Sequence, residues 1–143
     1  MKHKRQHTRQ EKEKGQSLVE MALVLPIMLI ILAGVLEVGR LYYVYVAVSD
    51  AAGEGANYAA VFPDPAHRTE LTQRVQEASG GLVVIDPSLI QVDCPNVASG
   101  NPVTVTVGYT FTVAAPFAHI FIPDGEIILN ATATGAILSG TGG

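Results

Sequence analysis

Apolar and polar positions follow three different patterns along the chain. From Met21 to Leu36 there are 16 residues without a charge, and Ser17 to Val38 breaks its apolarity only at Ser17, Glu20 and Glu37. A helix over this run is apolar on every side and long enough to cross about 30 Å of hydrocarbon, so it predicts a membrane span. Beyond Val38 small residues recur every fourth position: Ala47, Ala51, Gly55 and Ala59 form one row, and Ala52, Ala56 and Ala60 another. Such rows let a second element approach a helix closely. After Asp50 that element is expected to be the chain's own sheet; before it, a helix of another subunit. Continuous helix from Gln16 to about Ala60 would be roughly 68 Å long at 1.5 Å per residue.

The remaining pattern is shorter-ranged. Asp64 followed by Pro65 reads as a helix N-cap with proline at the first helical position. Leu71, Val75 and Ala78 then make a narrow apolar stripe that Gly80 and Gly81 end. Three stretches alternate with period two: Leu89 to Cys94, Val103 to Val113 and Ile127 to Thr134. In each, one face is apolar: Ile90, Val92 and Cys94; Val103, Val105, Val107, Tyr109, Phe111 and Val113; Ile127, Leu129, Ala131 and Ala133. The prediction is an α+β fold in which a long transmembrane and stalk helix is followed by a short helix and a small three-stranded antiparallel sheet. Residues 62 to 143 are near the limit of about 70 to 80 residues for a self-sufficient core, so the sheet should depend on the helix end.

Charge changes this picture by giving it direction. Residues 1 to 14 hold six of the nine Lys and Arg against two Glu, while the rest holds three against eleven Asp and Glu. A basic flank before a span stays in the cytoplasm, which places the N-terminus inside and the acidic body outside. Polar and without apolar periodicity, residues 1 to 14 are expected to be disordered. At the outer end Glu37 and Arg40 stand three apart on one helix face, and Tyr42, Tyr43 and Tyr45 come next as an interfacial aromatic belt. Pro26, inside the span, either loosens the helix near Ala22 or has its freed carbonyl satisfied by neighbours. The tail from Ser139 to Gly143 should be mobile.

Glu20 requires its own account, because a carboxylate within a span costs roughly 2.5–3.5 kcal/mol on insertion scales. It is the fifth residue after Gly15, which closes the basic segment. A short basic leader, then Gly15, then Gln16 and a hydrophobic helix carrying Glu20 resembles a class III, type IV pilin-like signal. The longer string from Gly15 to Ala60, with Gly15, Glu20, Leu25-Pro26, Glu37, Gly39-Arg40 and Gly53 to Ala60 in order, resembles the TadE-like family of tight-adherence pilus pseudopilins. That resemblance implies removal of residues 1–15 by a prepilin peptidase and a stalk helix over 16–61. It also implies an extracytoplasmic domain over 62–138, ahead of the tail at 139–143. The implied partners are the cytoplasmic membrane of a bacterium, other pilin or pseudopilin subunits and the pilus assembly platform. Cleavage would create an α-amine at Gln16 that Glu20 of the same or a neighbouring subunit can neutralise; alternatively, Glu20 snorkels at the inner interface. A different class of function, an uncleaved bitopic anchor presenting the sheet as a binding module, has the same hydropathy pattern.

Candidate chemistry is sparse. Lysine occurs only at positions 2, 4, 12 and 14, so the body has no P-loop lysine, Schiff-base lysine or Ser-Lys dyad. His67 and His119 lack a second ligand at metal spacing, and the lone Cys94 permits neither an internal disulfide nor a cysteine metal cluster. On its apolar strand face, Cys94 is expected to be a buried free thiol. Gly53-Glu54-Gly55 lacks the third glycine and preceding strand of a dinucleotide site. The basic leader has no interleaved aromatics and reads as a topological signal, not a nucleic-acid surface. The sequence predicts no enzyme activity, no cofactor, no metal and no small-molecule substrate.

Overall fold

A computed structural model describes the backbone of residues 4–120 and 122–138, and side chains for 16–115, 118–120 and 122–138. The expected mobile tail at 139–143 lies outside the described residues. The chain divides into two compact units, Met1–Val38 and Gly39–Gly143, and helix α1, Lys4–Val61, contributes to both. The described helix begins at Lys4, whereas the polar pattern suggests a disordered segment up to position 14. Lys, Arg, Gln and Glu are strong helix formers even without an apolar stripe, and their propensity decides the outcome here.

In the first unit the side chains of the apolar run are exposed all round the helix; Leu18, Leu23, Ile27 and Ile31 all have more than half of their surface open.

The second unit is a helical layer on one face of a three-stranded sheet. Asp64 caps a 3-10 turn at Pro65–His67 by accepting a hydrogen bond from the Ala66 amide at 2.8 Å, and α2, Arg68–Ala78, follows. The cap therefore starts one short turn ahead of the helix it announces. Gly80 and Gly81 end α2 in the left-handed region, at φ 61° and 73°. Strands β1, Ile90–Asp93, β2, Pro102–Thr112, and β3, Glu126–Ala136, form an antiparallel sheet in the order β1-β2-β3. Val105 is the register point, opposite Val92 on one side and Ala133 on the other. Its face carries the buried Val103, Val105, Val107 and Phe111, with Tyr109 half-buried. The opposite face carries threonines, of which Thr104 bonds Thr134 at 3.1 Å and Thr106 bonds Thr132 at 3.0 Å.

The core lies between that valine face and the end of α1. Nine of the 21 buried apolar residues found among the described ones lie on α1 from Val44 to Ala60. Small residues meet small residues there: a Cβ added at Gly135 of β3 would lie 3.1 Å from the Ala56 carbonyl oxygen and 3.4 Å from the Ala60 Cβ. After β3 the Leu138 amide donates to the Ala60 carbonyl at 2.8 Å, tying strand end to helix end. Cys94, expected to be buried, is only half-buried at the margin of the core, because β1 is a short edge strand that ends before it.

Candidate functional site

Within the first unit, the residues expected to direct processing lie on α1. Gly15 belongs to the helix, though only its backbone is described. Gln16 and Glu20 are exposed, and the Gln16 side-chain amide donates to Glu20 Oε1 at 3.1 Å. Glu20 thus lies one helical turn from the residue that would become the new N-terminus, as the spacing requires.

The apolar run beyond Glu20 is long and apolar enough to cross a membrane. The helix from Gln16 to Val61 has a window of 18 residues with mean hydropathy 2.6, and none of that window is buried. A core helix of a water-soluble protein would pass the same hydropathy test but would be covered. Here the apolar side chains are not covered in that way, which is the arrangement a lipid environment stabilises.

The second unit starts where the apolar run stops. Tyr42, Tyr43 and Tyr45 are all substantially exposed. Arg40 is turned onto the sheet: its guanidinium donates to the Thr112 carbonyl and lies 4.6 Å from the centroid of the Phe111 ring. Sequence reasoning places Arg40 at the interface but misses these partners, 72 residues away in the chain. A further cluster, with no signal in the sequence pattern, stands at the far end of the helix. Arg74 lies 4.8 Å over the Tyr58 ring, between the carboxylates of Glu54 and Glu70 at 3.8 and 3.9 Å. These side chains are about half exposed, and they join α2 to α1 with at most modest energy.

The small-residue row has a definite partner. Ala47, Ala51 and Ala59 are at most 5% exposed and Gly55 is buried, all within this chain. Ala47 is included, so the row before Asp50, expected to meet a helix of another subunit, is also buried within this chain. Just ahead of Val44, Leu41 is half-buried against the core, while Tyr42 and Tyr43 are exposed.

The likeness to known proteins lies along α1. A family model described as TadE-like protein matches residues 15–57, starting at the glycine before the span and ending inside the sheet-covered part of α1. Over that segment the chain is similar to the TadE-like family. No curated protein and no solved structure matches the chain.

Proposed function

We propose that this chain is a minor pseudopilin of a tight-adherence, type IV-like pilus or an allied secretion system, acting in assembly and not in catalysis. Its basic leader stays in the cytoplasm, the helix from Gln16 crosses the cytoplasmic membrane of a bacterium, and the α+β domain over 62–138 faces outward. A prepilin peptidase removes residues 1–15. The observation that carries the reading is the single helix whose first part is wholly lipid-compatible and whose last part is roofed by a sheet, coinciding with the TadE-like match.

Glu20 is the assembly determinant in this reading. Cleavage leaves a cationic α-amine on Gln16, and a carboxylate one turn away offsets that charge in low dielectric, within a subunit or across to its neighbour. Insertion and cleavage require only the span and Gly15. In a strain whose only copy is Glu20→Ala, the protein should therefore reach the membrane and lose its leader while piliation fails. Glu20→Gln, which keeps shape and hydrogen bonding but not charge, should fail equally. Normal piliation by a cleaved Glu20→Ala protein would contradict the assignment and favour a carboxylate that snorkels at the inner interface.

A further inference from the structure

The two edges of the sheet are built differently. One edge is β1, four residues long, which ends at the charged Asp93 with Pro95 two positions on. A short strand closed by a charge and a proline discourages further pairing. The other edge is β3, 11 residues from Glu126 to Ala136, which among the described residues pairs only with β2. Its sequence, EIILNATATGA, has no lysine, arginine or proline, and its single charge, Glu126, stands at one end. Over its length β3 therefore lacks the devices that keep an edge strand unpaired.

Hydrogen bonds just beyond each end of the β2–β3 ladder fix which main-chain groups of β3 point outward. The Val113 amide donates to the Gly125 carbonyl at 2.8 Å, and the Ile137 amide donates to the Asn101 carbonyl at 2.9 Å. Between them the register runs unbroken from Glu126 opposite Thr112 to Ala136 opposite Pro102. Bonded and non-bonded pairs alternate in an antiparallel ladder, so the odd-numbered residues of β3 bond β2. Pro102, which has no amide hydrogen, stands at a non-bonded pair, as this alternation requires. The even-numbered residues, Glu126, Ile128, Asn130, Thr132, Thr134 and Ala136, thus turn their N–H and C=O groups to the open edge. Their side chains all lie on the exposed face of the sheet.

The strand that fits this edge is a second β3. Antiparallel pairing about Ala131, the midpoint, uses all 11 residues and keeps each face of the sheet on its own side. On the core side Ile127 then meets Gly135, Leu129 meets Ala133, and Ala131 meets its own copy, so large side chains stand opposite small ones. On the other face Asn130 meets Thr132 and Ile128 meets Thr134, while Glu126 meets the uncharged Ala136. Parallel pairing in register would instead set Glu126 against Glu126. The core side of β3 also has surface left to bury: Ile127, Leu129 and Ala133 are only half-buried, whereas Val103, Val105 and Val107 of β2 are fully covered. We infer that β3 is a homodimer interface, at which two copies of this chain join edge to edge in one six-stranded sheet through about twelve main-chain hydrogen bonds. The interface lies within the second unit and does not depend on removal of residues 1–15.

Spin labels test the register in the full-length Cys94→Ser protein, solubilised in detergent micelles and labelled at one introduced cysteine. Symmetry about Ala131 sets a ladder of distances between copies: at about 3.4 Å per residue, Ile128→Cys and Thr134→Cys should both read about 20 Å, and Ala136→Cys about 34 Å. Equally short distances at all three positions would mean parallel stacking, and the absence of defined distances would mean an edge that a second copy does not occupy; either overturns the inference. Thr132→Pro removes an outward amide hydrogen and no bond to β2, a substitution that edge strands tolerate. By light scattering the unsubstituted chain and Thr132→Ala should be dimers and Thr132→Pro a monomer, with similar thermal midpoints for the two variants. A dimer that survives Thr132→Pro would place the contact elsewhere and overturn the inference. A monomeric unsubstituted chain would also overturn it, leaving the edge to a strand of another protein. Should Thr132→Pro fail to fold, the distance ladder decides alone.

Discussion

Gly55 of α1 lies against Val75 of α2 so closely that a Cβ at Gly55 would be 2.7 Å from Val75 Cγ2, and 3.0 Å from Val105 Cγ1 on the other side. One missing methyl group therefore sets how near the sheet and the second helix come to α1. Valine is branched and stiff at χ1, so neither neighbour can swing away without moving its backbone.

Gly55→Ala should consequently destabilise the second unit in spite of alanine's better helix propensity. Overpacking costs about 1–3 kcal/mol and the propensity gain returns about 1 kcal/mol, leaving a loss on the order of 1 kcal/mol. In the Val75→Ala background, where room has been made, the same substitution should cost less or become neutral. Urea unfolding of the four chains in detergent measures the coupling; equal losses in both backgrounds would refute the contact as the cause.

A second prediction concerns where the outer domain begins. With Val44, Ala47, Val48, Ala51, Ala52 and Ala56 in its core, the sheet should not fold without the helix end. A fragment of residues 39–143 should give a cooperative thermal transition and dispersed amide spectra. A fragment of 62–143, lacking the buried α1 surface, should give neither. A folded 62–143 fragment would show that the helix is accessory to the domain.

This dependence is legible in the sequence, and the reasons are local. The unbroken alternation from Val103 to Val113 fixes which face of β2 is buried, since period two leaves no choice of face. The four-residue spacing of Ala51, Gly55 and Ala59 likewise marks a close approach on a helix. Features that escape such reading are non-local or lack periodicity. Nothing near Arg40 announces that its guanidinium meets Phe111 and Thr112. Nothing in the small-residue row fixes how many of its members are buried within the chain, which is why the pattern alone points Ala47 toward another subunit. The helical backbone from Lys4 rests on propensity without pattern, and the short 3-10 turn at Pro116–Ile120 has no apolar period to mark it.

Arg40 should matter more for position than for global stability. Its side chain is exposed, and a cation over a ring at such a site is worth about 0.5–1 kcal/mol. Arg40→Ala should release the end of β2, raising hydrogen exchange at Val113, whose amide donates to the Gly125 carbonyl there, with little change at Val105. Arg40→Lys should recover only part of the protection, because an ammonium lacks the planar fork that both bonds the carbonyl and covers the ring. Uniform loss of protection along β2 in Arg40→Ala would indicate a general fold defect and contradict the local role.

The central claim is that Gly15 and Glu20 define a processed N-terminus ahead of a membrane helix. Intact mass and N-terminal sequencing of the membrane-extracted protein, with and without a prepilin peptidase from a tight-adherence system, test it most directly. The account predicts a chain beginning at Gln16 only when the peptidase is present, and an uncut chain for Gly15→Leu, whose side chain would have to fit a subsite suited to glycine. A protein that keeps Met1 to Gly15 beside an active peptidase would contradict it and leave an uncleaved, membrane-anchored binding module.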